Sequence, residues 1–297
     1  MIRKIYSLLT VLSITVTAAM AQDAPTITNK KGEAYLPVAD EWALGVSASP
    51  FLGYLGNFMH GNALQGAPAF QYGSNPANNI AIYGKKMIDE HTAYRVRFNV
   101  TVQNIINKAV VDQDQVTPTP GFPAFAEDWQ KVNTTSLVIA PGYEKRRGST
   151  RLQGVYGGEL VIAMNANHVK YQYGNAMTAD FPTPGTTNFS GQGYGNNITG
   201  PGTRVIDDKQ GMSFLVGARG FIGVEYFFIP KMSIGGEFGY MLAWQTQRRT
   251  TTTTETWDGG LNSVRETKTD SYNNGGRTTT GIGIDNLSGS INLMFYF

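Results

Sequence analysis

Ser290-Ile291-Asn292-Leu293-Met294-Phe295-Tyr296-Phe297 closes the sequence. Successive side chains on a strand point to opposite sides, so Ile291, Leu293, Phe295 and Phe297 share one face while Ser288, Ser290, Asn292 and Tyr296 share the other. One face is greasy and the other polar. Such a stretch reads as a strand, and its meaning depends on whether the rest of the chain repeats the pattern.

Residues 92–104 repeat it, with Tyr94, Val96, Phe98, Val100 and Val102 against Arg95, Arg97, Asn99, Thr101 and Gln103. Further on, Phe214, Val216, Ile222, Val224, Tyr226 and Phe228 oppose Ser213, Arg219 and Glu225, and Ile234, Phe238, Tyr240, Leu242 and Trp244 oppose Glu237, Gln245 and Gln247. Tyr156, Leu160, Ile162 and Met164 oppose Gln153, Glu159 and Asn165. Period-two runs and turn residues together predict eight strands, over residues 42–55, 78–88, 92–104, 133–146, 150–173, 204–229, 232–250 and 277–297.

The connections alternate in length. Asp89-Glu90-His91, Arg147-Gly148-Ser149 and Pro230-Lys231 are tight turns, whereas the others run to about 22, 28, 30 and 26 residues and are rich in Gly, Asn, Thr and Pro. Loops that long are uncommon in compact soluble domains, while membrane barrels combine short turns on one side with long loops on the other. With an even strand number, both termini and all short turns fall on one side. The fold class expected is therefore an all-β, up-and-down antiparallel transmembrane β-barrel of eight strands, with large side chains facing lipid and Tyr226, Tyr240 and Trp244 in interfacial girdles.

The N-terminus fits an exported protein. Arg3 and Lys4 precede a largely apolar stretch, and Ala19-Met20-Ala21 is a small-x-small cleavage site, so residues 1–21 read as a signal peptide. Residues 22–41 read as a periplasmic arm and 42–297 as the barrel. The arm has little periodicity and is expected to be a lightly ordered terminus, with packing of Ala34-Tyr35-Leu36-Pro37-Val38 at the barrel mouth as the alternative. Nothing later supplies ~20 apolar residues in a row for a spanning helix. The chain has no cysteine, which removes disulfides, thiolate metal sites and lipidation at a cysteine. Loss of Arg3 and Lys4 from the 24 basic residues balances the 22 acidic ones, so nucleic acid is not an expected partner. The 35 glycines with 15 Phe and 15 Tyr suit a barrel whose apolar wall is diluted by a polar lumen.

Signal peptide, eight amphipathic strands, tight turns, long loops and terminal Phe297 together resemble the small OmpA/OmpX-type outer-membrane barrels. The wording Gly32-Glu33-Ala34-Tyr35-Leu36-Pro37, Trp42-Ala43-Leu44-Gly45-Val46 and Pro50-Phe51-Leu52-Gly53-Tyr54-Leu55-Gly56-Asn57 is similar to uncharacterised outer-membrane barrels of Bacteroidetes. The resemblance implies residence in the outer membrane of a Gram-negative bacterium with long loops outside, contact with membrane lipid and lipopolysaccharide, and Phe295 and Phe297 as the signal read by the barrel-insertion machinery. The sequence stops after the eighth strand, so the peptidoglycan-binding domain of full OmpA proteins is not expected.

An eight-strand barrel is just wide enough for side chains to fill. Arg95, Arg97, Glu144, Glu159, Arg219, Glu225 and Glu237 all fall on the inward face and should pair there. Function is then expected in the external loops, where Phe122, Phe125, Trp129, Phe181, Tyr194 and Trp257 are candidate contacts with a protein or glycan. The reading is a non-enzymatic anchor for surface loops, alone or in an outer-membrane complex. A narrow gated pore or an accessory subunit of a transporter is the alternative. No cofactor is expected. Asp112 with Asp114, and Asp207 with Asp208, lack the spacing of a calcium loop. Of His60, His91 and His168, only His168 stands where lipid chemistry is conceivable, and no serine is placed to pair with it.

Overall fold

The last strand pairs with the first, and that pairing closes a cylinder. In the computed structural model, which describes residues 27–47, 82–114, 124–192, 196–270, 276–284 and 290–297, the strands are β1 (Trp42–Ser47), β2 (Ile82–Asp89), β3 (Thr92–Asp112), β4 (Phe125–Arg147), β5 (Leu152–Gln172), β6 (Ile198–Gly200), β7 (Thr203–Ile229), β8 (Met232–Gln247), β9 (Thr251–Asp258), β10 (Ser263–Asp270), β11 (Arg277–Ile284) and β12 (Ser290–Tyr296). Every pairing among them is antiparallel. Eight strands form a ring in the order β1-β2-β3-β4-β5-β7-β8-β12, closed where Ala43 faces Tyr296 and Ser47 faces Asn292. Full closure leaves a sheet without edges at that level.

The pleat sorts the side chains inside out relative to a soluble protein. Outward positions are large and apolar: Tyr94, Val102, Ile222 and Phe238 are 60, 68, 68 and 61% exposed. Inward positions of the same strands carry charge, and Arg95, Glu144, Glu159, Arg219, Glu225 and Glu237 are all buried. Close packing of these side chains needs small residues opposite them. A Cβ added at Gly157 would run into the carbonyl oxygen of Tyr143 on β4, so that crossing tolerates only glycine.

The ring strands continue well past the ring. A bilayer needs ~9–11 residues of tilted strand, yet β3, β4, β5 and β7 have 21, 23, 21 and 27. β3 and β4 stay paired up to Asp112 and Phe125, so most of the residues expected in the second long loop are strand. The fourth is strand as well. Ser213 of β7 pairs with Gln247 and Lys209 with Thr251, so β9 prolongs the line of β8, and β10 folds back on β9 around a turn in which Asp258 Oδ1 accepts the amides of Gly260 and Leu261. The period-two signal does not report these segments because the inward residues of the β3–β4 extension are no longer uniformly polar and β9 and β10 are polar on both faces.

Among its described residues the third connection holds a three-residue 3₁₀ turn, Ser190–Gln192, and β6, and these residues are tightly packed. It folds over the inner face of the extension, where Val132, Val169, Tyr171, Phe189 and Val205 make a second apolar cluster with Ile105, Ala109 and Tyr173 at its margin.

Residues 27–41 are docked, not loose. Thr28 bridges Ala34 across a small turn, and Tyr35, 7% exposed, enters an apolar cluster with Met87, Phe227, Met294 and Tyr296 at the end of the ring where the short turns lie. Lys231, in the two-residue turn between β7 and β8 with φ of 61°, sends Nζ to Glu41 at 2.6 and 2.8 Å and to the Leu36 carbonyl at 3.0 Å. The Arg151 guanidinium lies 3.7 Å from the centre of the Tyr35 ring. A terminus fixed by single residues from two remote turns has no periodicity to read.

Candidate functional site

Three sites separate along the barrel axis: the filled lumen, the lid of the third connection and the outward face above the apolar wall.

The lumen is filled by ion pairs. Near the mouth at the short-turn end, Lys85 lies 2.8 Å from Glu144 and 3.3 Å from Glu225, and Arg146 lies 2.8 Å from Glu225 and 3.3 Å from Glu144. Glu225 also accepts from the hydroxyls of Ser233 and Tyr296, and Arg146 donates to the Tyr296 oxygen. One layer further in, Arg219 Nη1 reaches Glu159 and Glu237, each at 3.0 Å, and Arg97 reaches Glu159 at 3.3 Å. Arg95 joins the layers: Nη1 lies 3.0 Å from both Glu144 and Glu237. Its Nε sits 2.9 Å from Glu159 Oε1, close enough to attract but too oblique for a hydrogen bond. Phe221 provides a ring 4.1 Å from the Arg95 guanidinium, which helps hold a charge that has left water.

All seven residues assigned to a lumen network from the sequence are therefore in one connected cluster, together with Lys85, Arg146, Ser233 and Tyr296. Two of these additions were legible in principle. Arg146 is two residues from Glu144 and must share its face, and Tyr296 falls on the polar side of the last strand. Lys85 shows no such signal, because Lys86 beside it points outward and either could have been the inward one.

The lid is held mainly by side chains that satisfy backbone groups. Asp128, fully buried on β4, accepts the amides of Gly174 at 2.9 Å and Thr187 at 2.7 Å. Asn197 accepts the Phe189 amide at 2.7 Å and donates to the Thr187 carbonyl at 2.8 Å and the Tyr173 hydroxyl at 3.2 Å. Asn175 donates to the carbonyls of Asp112 and Gly185, and Arg204 donates to the Asn175 carbonyl at 2.8 Å while its guanidinium lies 4.2 Å from the Tyr173 ring centre. Burial pushes the Tyr173 phenol well above its ordinary value and raises that of Tyr171.

The candidate loop contacts scatter. Phe125 and Trp129 belong to β4 and not to a loop, which corrects the sequence reading; Phe125 is exposed, and Trp129 is half-buried with Lys108 Nζ 4.2 Å from its ring centre. Trp257 is half-buried on β9, opposite Val264. Phe181 is half-buried in the lid, where its amide donates to Thr178. Phe122 and Tyr194 lie outside the described residues, as do residues 1–26 with the expected signal peptide. Phe295 and Phe297 are exposed on the outer face with ring centres 6.0 Å apart. The backbone of Phe297 exchanges two hydrogen bonds with Trp42 at the closing seam.

On the outward face, His168 is bonded through Nε2 to Asp207, and Lys209 lies 3.5 Å from the same carboxylate. Asp208 bonds Thr252, Asp114 accepts the Gly185 amide, and no group of three or more metal-binding side chains occurs among the described residues.

Comparison with known proteins adds little to this geometry. Neither a protein-family model nor a curated protein matches the sequence. A solved structure, a major outer membrane protein from Thermus thermophilus, aligns with 87% of this chain and 100% of its own at 12% identity, with a TM-score of 0.29. So loose an alignment transfers nothing to this chain. What stands is the architecture itself: an antiparallel eight-stranded ring with a charged, filled interior and an apolar exterior, prolonged on one side into a lidded sheet.

Proposed function

We propose that the chain is a non-enzymatic integral barrel of the outer membrane of a Gram-negative cell, and that it anchors an ordered surface extension for contact with a protein or glycan, alone or within an envelope complex. The observation that carries the reading is the inversion of polarity. Exposed Leu, Val, Ile, Phe, Tyr and Trp ring the outside of the cylinder while buried Glu and Arg fill it. An apolar girdle of that extent in water would be an aggregation surface, whereas hydrocarbon is its natural solvent.

The packed lumen favours an anchor over a pore. Among the described residues, Glu144, Glu159, Glu225 and Glu237 are shared by Lys85, Arg95, Arg97, Arg146 and Arg219, and an ion path would require these pairs to separate in a low-dielectric interior. The lid, packed on an apolar cluster, and the hydrogen-bonded β9–β10 finger suit specific recognition, because a surface already folded loses little order on binding.

Purification from the native membrane in mild detergent, gel migration with and without heating, and planar-bilayer recording test the reading together. A compact band that shifts on heating, no steady conductance, and either a stoichiometric companion or a ligand retained by the extension are expected. Steady single-channel currents from the unmodified chain would replace the anchor with the gated-pore reading. Recovery of the processed chain as a soluble protein would end both.

A further inference from the structure

The apolar wall of β5 runs from Leu152 to Met164 and then stops, and the next same-face positions beyond Ala166 are His168 and Lys170. At ~3.3 Å per residue and the usual strand tilt, the wall is about 30 Å tall, close to the thickness of a bilayer core. Cations gather at its upper rim. Lys131 on β4 is the register partner of Lys170 on β5, Lys209 on β7 partners His168, and Thr251, the partner of Lys209 on β9, directly follows Arg248, Arg249 and Thr250. Arg248 and Arg249 line an open cleft of about 550 Å³ with Arg277 of β11, which pairs with inward-facing Gln247, and among the described residues that lining holds no carboxylate.

A like-charge pair directly across a strand pair destabilises it, yet Lys131 and Lys170 face each other with both side chains exposed. Two carboxylates edge the row: Asp207, the register partner of Lys170 on β7 and already held by His168 and Lys209, and Asp270, which accepts from Thr251. The five cations Lys131, Lys170, Lys209, Arg248 and Arg249 exceed them. On β5, β7 and β8 this row stands just past the last large apolar side chains Met164, Phe214 and Trp244, whereas on β3 and β4 the exposed Ile106, Val110 and Phe125 lie level with Lys131 or beyond it.

From this we infer that Lys131, Lys170, Lys209, Arg248 and Arg249 form a binding row for the phosphate groups of net-anionic lipids in the leaflet opposite the termini. The inference rests on the membrane-spanning reading and adds the chemistry of the lipid. A phosphate between Lys131 and Lys170 removes their repulsion, and the guanidiniums of the cleft offer the paired donors that phosphate oxygens accept.

The test uses the full processed chain in phosphatidylcholine vesicles, with and without added phosphatidylglycerol, reading the temperature at which the compact gel band is lost. The wild type is expected to gain several degrees from the anionic lipid, less in high salt. A variant carrying Lys131→Gln, Lys170→Gln and Arg249→Gln should lose more than half of that gain, yet match or exceed the wild type in phosphatidylcholine alone, because its repulsive pair is gone. A row that served only the fold would instead lower the variant's midpoint in both vesicles, and an undiminished gain would overturn the proposal. So would inorganic phosphate reproducing the gain in phosphatidylcholine alone, since the ligand would then be a free anion. Absence of a compact band from the wild type in either vesicle would bring down the spanning reading, and the row with it.

Discussion

Glu144 shows at the scale of one residue why the lumen is a structural site. It is fully buried and is shared by Lys85, Arg95 and Arg146, so each of these cations depends on it for part of its compensation. A buried network of this kind adds little net stability over an apolar core, but removing one partner leaves charge uncompensated. Glu144→Gln is expected to cost about 3–5 kcal/mol, read as a lower urea midpoint for loss of the compact band, while bilayer conductance stays at the background of the parent. Lys231 is the corresponding residue at the mouth. It holds Glu41 and the Leu36 carbonyl from a left-handed turn position. Lys231→Ala should free residues 27–41 to added protease without lowering the thermal midpoint of the ring by more than a few degrees, and an arm that stays protected would show that Tyr35 and Arg151 suffice.

Among the elements, the lid has a stability tied to alkaline pH. Tyr173 donates to the Val205 carbonyl, accepts from Asn197 and has its phenol pushed up by burial, as does Tyr171. A folded-state value above the unfolded ~10 means that the folded form binds more protons through that window. The stabilising contribution is then complete below pH ~10 and is lost as pH rises above it. Tyrosine-resolved absorbance and limited proteolysis at rising pH should show cleavage within residues 173–202 before the compact ring is lost, and Asn197→Ala should move that opening to lower pH. The lid was not legible as an ordered element, because its order comes from Asp128, Asn175, Asn197 and Arg204, side chains that satisfy backbone groups far away in the chain. The β9–β10 finger was hidden for a different reason. Thr251-Thr252-Thr253-Thr254 has no alternation at all, and both faces of that hairpin are polar.

The whole molecule divides into a ring that closes without the extension and an extension that cannot exist without the ring. β1, β12 and the lower half of β8 complete the cylinder, and none of them pairs with β9 or β10. Replacing residues 251–270 by a short Gly-Ser turn should therefore leave a heat-modifiable band, with a midpoint lowered only by the loss of the Arg204–Glu255 pair and its neighbours. Loss of the band would show that the finger is needed for closure.

Alternation in residues 92–104, 213–228 and 290–297, set against the spacing of turn residues, determined the strand directions, the ring of eight and which face is charged, since a pleated backbone with period two leaves no other assignment. The tertiary structure alone decided how far the strands run past the ring, that the third connection folds down as a lid, that residues 27–41 dock at the opposite mouth, and that Lys131, Lys170 and Lys209 stand at adjoining registers of one face. Each of these depends on contacts or registers between segments remote in the chain, and periodicity within a segment carries no information about its partner.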